Sequence, residues 1–248
     1  MPYYKDMTWK DMEAFVEQNS KNATMLVPIG CLEEHGPHLP LATDSYLASA
    51  FSTALLKNLH VPIIIGPIVD FGVSVLTQGF SGTMQIDFKT LHRLIKNILT
   101  SCNSWGLRKV IMWTWHGGSS HYICLREAAL DIIRLYPDLK VYIMRGVKLF
   151  DNESFAKKIK SLLESEGDHA DELETSLMLH THPELVVKDK LVKEYPDLPR
   201  FQVIPDGEKF LTYGIVGDAT LATKEKGKRL FDEILKELTE NVAKILDE

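Results

Sequence analysis

The chain has 248 residues, of which 45% are hydrophobic and 25% are charged, and this is enough for one large α/β core. We therefore expect a single domain spanning residues 1–248. A formal charge of -6 and a pI near 5.9 argue against broad electrostatic binding of nucleic acid. The apolar runs, such as 62–69, are short of the roughly 20 residues that span a bilayer.

The N-terminal segment and the cysteines indicate the compartment. Residues 1–10 alternate aromatic and charged side chains and lack the apolar core of a signal peptide. The three cysteines, Cys31, Cys102 and Cys124, cannot pair evenly. We therefore expect a cytoplasmic protein that binds neither membranes nor nucleic acid.

Apolar runs of strand length alternate with amphipathic helical patterns along the chain. The predicted strands are 24–29, 62–68, 109–115 and 140–144, and the predicted helices are 9–17, 44–59, 87–105, 120–135, 153–164, 171–180 and 223–246. Because the central strands are apolar at nearly every position, we expect helices on both faces. The pattern predicts an α/β fold, a three-layer α/β/α sandwich with a mainly parallel central sheet.

The loop after the first strand concentrates ionisable residues where such sheets bind ligands, at the carboxyl ends of the strands. It contains Glu33, Glu34 and His35, and Asp44 follows a Gly-Pro turn. An extended backbone at 33–35 points Glu33 and His35 to one side, and the turn can bring Asp44 back towards them. These side chains can share a divalent metal. The alternative is a polar surface loop in which Asp44 only caps a helix.

Two further clusters follow later in the chain. His116 ends the third predicted strand and precedes two glycines, which allow a close approach of substrate or metal; an ordinary turn with a solvated histidine is the alternative. His169 and Glu174 lie at the start of an acidic helix, where acids are also favoured by the helix dipole alone. We interpret His169 as a proton shuttle and Glu174 as a metal ligand.

Together these clusters supply two imidazoles and three carboxylates for a metal centre. Mixed nitrogen and oxygen ligands suit Zn, Mn or Fe(II), and three acids can hold two ions with one carboxylate bridging. Two such ions polarise a carbonyl and generate hydroxide from water, so the set predicts hydrolysis. The proposed ligands are Glu33, His35, Asp44, His116 and Glu174.

Several motifs resemble those of the creatininase (creatinine amidohydrolase) family. The signature loop is matched by Glu33-Glu34-His35-Gly36-Pro37-His38-Leu39-Pro40-Leu41 with Thr43-Asp44. Weaker matches follow in order at Phe80-Ser81-Gly82-Thr83, His116-Gly117-Gly118, His169-Ala170-Asp171-Glu172-Leu173-Glu174-Thr175-Ser176 and Gly217-Asp218. The likeness spans about residues 24 to 230.

The resemblance implies a binuclear metal amidohydrolase on an α/β/α fold, assembled as a homo-oligomer, often a hexamer. By position, the family's metal ligands are matched by Glu33, His35, Asp44 and His116, with Asp44 as the bridge. Creatininase itself has a glutamate where this chain has Gly118, so Glu174 is our candidate for the missing carboxylate. His169 matches the catalytic histidine region and is assigned proton transfer to the leaving amine.

Departures from the family pattern surround the ligands and predict a changed substrate pocket. Its candidate lining residues are Ser74, Gln78, Trp115 and Ser119, although Trp115 can equally serve packing and Ser119 a helix cap. A phosphorylated substrate needs a cation nearby, and Arg145 at a strand end is the candidate.

The predicted function is hydrolysis of a C–N bond in a small amide by a metal-bound hydroxide. The substrate is a small cyclic amide or formamide, such as a formylaminopyrimidine nucleotide, ahead of a peptide. The alternative is a non-catalytic ligand-binding or scaffold protein that retains the fold. A nucleotide-binding Rossmann enzyme is disfavoured because no glycine-rich fingerprint follows a strand.

Overall fold

Helices and strands alternate along the chain as the apolar pattern predicts. The computed structural model describes residues 3–59, 61–146, 153–199, 201–205 and 207–248. The helices are α1 Trp9–Asn19, α2 Thr43–Asn58, α3 Phe88–Ser104, α4 Ser119–Leu135, α5 Glu153–Lys160, α6 Glu172–Thr181 and α7 Lys224–Asp247. The strands are β1 Thr24–Ile29, β2 Ile63–Ile65, β3 Lys109–Thr114, β4 Lys140–Arg145, β5 Lys193–Glu194 and β6 Gly217–Asp218. Thr8 and Asp11 form a reciprocal capping box at the start of α1.

Four strands form a parallel sheet in the order β2-β1-β3-β4. Alternate residues of the two central strands face opposite sides, as strand geometry requires. Leu26 and Ile111 belong to one core, whereas Met25 and Val110 belong to the other. The sheet is therefore buried on both faces, and the expected α/β fold with a mainly parallel central sheet is confirmed. β5 and β6 form a separate antiparallel pair.

Helices cover both faces of the sheet and complete the three layers. Helices α2, α6 and α7 contribute Phe51, Leu177 and Leu230 to one core. Helices α3 and α4 contribute Leu91 and Leu125 to the other. Burial of these apolar faces fixes the helices against the sheet and so positions the loops that connect them to the strands.

The second strand is shorter than the predicted 62–68. Regular pairing with β1 ends at Ile65. The N–H of Gly66 still donates to the carbonyl of Leu26 at 2.7 Å, and pairing resumes in a single bridge between Val69 and Ile29. The predicted helix 153–164 likewise ends earlier, at Lys160.

The carboxyl ends of β1 and β3 lie side by side, with Ile29 in register with Thr114. The loops that follow these strands therefore leave the sheet at one edge. In the described ranges, no helix is both long enough and apolar enough to cross a membrane.

Candidate metal centre

The five predicted metal ligands converge at the carboxyl edge of the sheet. Ligand atoms of Glu33, Asp44 and His116 lie within 4.8 Å of one another, and so do those of His35, Asp44 and Glu174. All five are buried, with Asp44 and His35 only 2% and 1% exposed. Asp44 is common to both groups, so the arrangement matches two ion positions that share one carboxylate.

In the group formed by Glu33, Asp44 and His116, hydrogen bonds to residues outside the group orient the side chains of His116 and Glu33. The Nε2 of His116 lies 3.1 Å from the carbonyl of Val73 and donates to it, which leaves Nδ1 facing the acids. This Nδ1 is 2.7 Å from Oε1 of Glu33 and 3.2 Å from Oδ2 of Asp44. The other oxygen of Glu33 accepts from Ser74 and, at 2.7 Å, from Thr77. Each side chain therefore presents one defined atom inward.

The second group is built in the same way. The Nδ1 of His35 donates to the carbonyl of Glu33 at 3.1 Å, so Nε2 faces inward. This Nε2 lies 3.6 Å from Oδ1 of Asp44 and 3.8 Å from Oε2 of Glu174. The carboxylate of Glu174 is held by the indole N–H of Trp115 at 2.9 Å and the backbone N–H of Ala170 at 2.7 Å.

The donor set fits divalent metal ions. Two of its buried atoms, Nε2 of His35 and Oδ2 of Asp44, have no hydrogen-bond partner among the described residues. Lone pairs of two imidazoles are aimed at three carboxylates, which is unfavourable unless a cation or a proton lies between them. Nitrogen and oxygen donors of this kind suit Zn, Mn or Fe.

The close packing of imidazoles and carboxylates also shifts their pKa values. Burial opposes charge on His116, but the carboxylates of Glu33 and Asp44 raise its pKa well above the ordinary value. Burial and the neighbouring His169 also oppose charge on His35, yet Asp44 and Glu174 raise its pKa. Burial raises and His116 lowers the pKa of Glu33, with a net lowering well below its usual range. The low pKa of Glu33 favours its charged form, which attracts positive charge.

His169 lies beside the metal ligands, with its ring centre 4.5 Å from that of His35. Its Nε2 donates to the carbonyl of Glu34 at 2.9 Å. Burial opposes charge on this imidazole, but the hydrogen bond to Glu34 and the nearby acids raise its pKa to about 10. His169 is thus a histidine with a strong tendency to hold a proton, at the edge of the metal site.

A cavity of about 200 Å³ opens onto the metal ligands. Among the predicted substrate residues, Ser74 and Ser119 line it. Trp115 and Gln78 are not among its lining residues. Trp115 is only 1% exposed because its indole packs in the core and donates to Glu174, and Gln78 points away and donates to the carbonyl of Pro205.

Three residues near the site carry functions that the sequence motifs do not single out. Thr77 holds Glu33, Asp168 lines the cavity beside His169, and Glu34 contacts His169. Thr77 lies between Ser74 and Gln78, which were both predicted to line the substrate pocket. Gly118 is crowded, since an added Cβ would lie 2.5 Å from Nε2 of His116.

Comparisons with known proteins agree with this geometry. The family model described as Creatininase, creatinine amidohydrolase, matches residues 5–242. A mycofactocin precursor peptide peptidase of Mycolicibacterium smegmatis is 30% identical over 220 residues, covering 85% of this chain and 81% of that protein. A creatinine amidohydrolase of Pseudomonas putida is 25% identical over 240 residues, covering 92% of this chain and 90% of that protein.

A comparison with solved structures shows the fold. A solved structure described as Creatininase Mn superposes with a TM-score of 0.87 at 23% identity, covering 100% of this chain and 99% of that chain. The family model matches residues 5–242, a range that includes the central sheet and all five candidate metal ligands. The chain therefore belongs to the creatininase family.

Proposed function

We propose that the chain is a hydrolase with two divalent ions that cleaves a C–N bond in a small cyclic amide or formamide. The observation that carries the proposal is the convergence of two imidazoles and three carboxylates around Asp44. Glu33, Asp44 and His116 would hold one ion, and His35, Asp44 and Glu174 the other. When bound, the ions would polarise the carbonyl and lower the pKa of water.

The protein's own residues supply positioning and proton transfer. Ser74 and Thr77 keep one oxygen of Glu33 occupied, so that its other oxygen is directed to the site. His169 borders the same cavity and tends to hold a proton, so it protonates the departing nitrogen. The nitrogen becomes a neutral amine, which is a separate molecule when the substrate is a formamide and remains part of the ring-opened product when it is a cyclic amide. The carbonyl carbon becomes formate or a carboxylate.

Cavity size and charge favour a small substrate without a phosphate. A volume of about 200 Å³ is below that of most pockets for drug-sized ligands, which are about 300–1,000 Å³. Among the described residues that line the cavity, none is Lys or Arg. The guanidinium of Arg145, the candidate cation, lies 3.9 Å over the ring of Tyr122 and is not part of the lining. We therefore rank unphosphorylated amides above formylaminopyrimidine nucleotides.

A second candidate is hydrolysis of a peptide bond in a short peptide. It is supported by the relative from Mycolicibacterium smegmatis, which is named a peptidase and is 30% identical over most of both chains. The chemistry at the metal centre is the same, so the two candidates differ only in the groups that flank the amide.

The test is a substrate screen with the metal-loaded protein. Protein loaded with Zn, Mn or Fe is incubated with creatinine, simple formamides, formylaminopyrimidine nucleotides and short peptides, and the ring-opened product, formate or released amine is measured. We expect turnover of a small amide and about two metals per chain. His35→Ala and Asp44→Ala should lose metal and activity together, whereas His92→Ala, at a histidine that pairs with Asp131 on the surface, should lose neither.

The screen also separates the enzyme from a non-catalytic binding protein. A well-folded protein that takes up no Zn, Mn or Fe would contradict the proposed function and favour the binder. Retention of two metals in either His35→Ala or Asp44→Ala would contradict the ligand assignment. Turnover of peptides alone would select the second candidate.

The proposal includes a cytoplasmic homo-oligomer, hexameric as is frequent in the family. Four large apolar side chains in the segment 195–213 are more than half exposed, namely Tyr195, Phe201, Val203 and Tyr213. Burial of such a group between subunits is favourable. Light scattering coupled to size-exclusion chromatography measures the subunit number, and a monomer at micromolar concentration would contradict this part of the proposal.

A further inference from the structure

We propose that Glu34 is a positioning residue for His169: its buried carboxylate holds the Nε2 edge of the imidazole, so that Nδ1 is presented to the substrate. This inference rests on the proposed function, in which His169 transfers a proton. Glu34 lies between two predicted ligands in the chain, but its side chain belongs to none of the three groups of metal donors, the third of which is Glu33, His35 and His169.

The contact involves two acceptors of the same residue. The Nε2 of His169 is 2.9 Å from the backbone carbonyl oxygen of Glu34 and 3.3 Å from its carboxylate Oε1. Both are acceptors only, so Nε2 carries the proton that lies between them. Since His169 lines the cavity and its Nδ1 makes no hydrogen bond with a described residue, Nδ1 is the nitrogen left for the substrate.

The carboxylate is enclosed. Glu34 is 6% exposed, and its Oε1 accepts no hydrogen bond from a described residue. The other oxygen, Oε2, accepts from the backbone N–H of Gly36 at 2.9 Å. Gly214, at φ 73°, closes over the carboxylate so tightly that a Cβ there would collide with Oε2.

A buried carboxylate is costly unless it is paired, so the identity of its partner is informative. The only ion pair that Glu34 makes with a described residue is with His169. The contact with Glu34 therefore restrains the ring of His169. A carboxylate in this role orients the imidazole, as the aspartate does in serine-protease triads.

An amide cannot replace the carboxylate here. The N–H of Gly36 donates to Oε2 of Glu34, and the Nε2 of His169, which donates to the backbone carbonyl of Glu34, also lies 3.3 Å from Oε1. Glutamine has one acceptor oxygen and one NH₂ donor, so one of the two N–H groups would face another donor. Glu34→Gln keeps the size of the side chain but replaces one of its two acceptor oxygens with an NH₂ donor.

The kinetic test is a double-mutant cycle on the zinc-loaded protein. Glu34→Gln should lower kcat by about 10- to 100-fold with little change in KM or in bound zinc. In a His169→Ala background, the same change should have no further effect, because Glu34 acts through His169. Glu166→Gln is the matched control: this side chain is 95% exposed, lies three positions before His169, and should leave kcat unchanged.

An equal loss of kcat on adding Glu34→Gln to His169→Ala would overturn the proposal, because Glu34 would then act without the imidazole. Loss of zinc in Glu34→Gln would do the same, since it would place Glu34 in the metal site. If Glu34→Gln fails to fold, Glu34→Asp gives the second variant: it keeps the charge but withdraws the carboxylate by one methylene, and the same fall in kcat is expected.

A spectroscopic readout makes the inference independent of turnover. In zinc-loaded protein labelled with ¹⁵N-histidine, we expect a slowly exchanging, downfield Nε2–H signal that is absent in His169→Ala. It should broaden or vanish in Glu34→Gln and persist in Glu166→Gln. A wild-type His169 protonated only at Nδ1, or a signal unchanged in Glu34→Gln, would overturn the proposal. Absence of any amide turnover in the wild type would instead reject the proposed function, and the spectra would still report on the contact.

Discussion

The indole N–H of Trp115 donates to the carboxylate of Glu174 at 2.9 Å, across 59 positions of sequence. Trp115 follows β3, and Glu174 lies in the first turn of α6. The bond fixes one oxygen of Glu174, and the backbone N–H of Ala170 fixes the other at 2.7 Å. A carboxylate held by both oxygens has its orientation towards His35 defined before any ion arrives.

We therefore predict that Trp115→Phe weakens metal binding. Phenylalanine keeps the stacking on Phe51, whose ring centre is 5.2 Å away, but removes the N–H that orients Glu174. The affinity for one of the two metals should fall by about 10- to 100-fold, measured by competition with a chelator.

The matched control is Trp113→Phe. Trp113 is equally buried, and its indole nitrogen has no hydrogen-bond partner among the described residues, so its loss should leave metal affinity unchanged. Equal weakening in both variants would show that packing in the aromatic cluster, and not the bond to Glu174, controls the metal.

The sequence was sufficient for the fold because its signals are local. Strand-length apolar runs separated by amphipathic helices predicted the parallel sheet. The second strand was predicted too long because the apolar run continues to Ile68, whereas β2 ends at Ile65.

The site was predictable where a motif places several donors on one loop, as with Glu33, His35 and Asp44. Supporting residues were harder, because their roles depend on contacts between distant segments. Trp115 was expected to touch substrate, yet the residue lies beyond the end of β3 with its ring turned into the core. A sequence gives the position of a side chain but not the direction in which its polar atom points.

A second prediction concerns the hydroxyl groups that hold Glu33. Ser74 and Thr77 both donate to Oε2 of Glu33, which leaves Oε1 directed at His116. Ser74→Ala combined with Thr77→Val should release this carboxylate and lower metal affinity by about 10-fold or more. Isothermal titration with zinc measures the change.

Ser52→Ala is the control for this pair. Ser52 is also a buried serine, but its hydroxyl donates to the carbonyl of Ala48 within α2, away from the metal ligands. The zinc affinity of the Ser52→Ala variant should equal that of the wild type. An unchanged affinity in the double variant would show that the backbone alone orients Glu33.

A third prediction follows from the crowding at Gly118. An alanine Cβ at this position would lie 2.5 Å from Nε2 of His116, closer than side chains approach one another. Gly118→Ala should therefore push the imidazole off the carbonyl of Val73 and reduce the metal content of the site formed with Glu33 and Asp44. Elemental analysis of the purified variant should give about one metal per chain instead of two.

Ser120→Ala, two positions further along, adds no Cβ and should retain both metals. Full metal content in Gly118→Ala would mean that the loop moves to accommodate the methyl group. In that case the glutamate that creatininase carries at the equivalent position would be sterically tolerated here, and the assignment of Glu174 as the replacement ligand would lose its steric support.

The last prediction links metal binding to pH through His35 and His116. In the metal-free protein both pKa values are raised, because carboxylate neighbours outweigh the effect of burial. A metal needs the unprotonated nitrogen, so binding should release about two protons per chain, and affinity should fall as the pH is lowered. Titration calorimetry in buffers of different ionisation enthalpy counts these protons.

The same linkage determines how metal removal affects stability. A histidine with a raised pKa stabilises the metal-free fold below its ordinary pKa of about 6.5, and this contribution is lost as the pH rises through the raised value. Metal binding strengthens over the same range. The difference in Tm between metal-loaded and chelator-treated protein should therefore widen as the pH rises above about 6.5. A difference that stays constant or narrows would mean that protons on His35 and His116 do not compete with the metals.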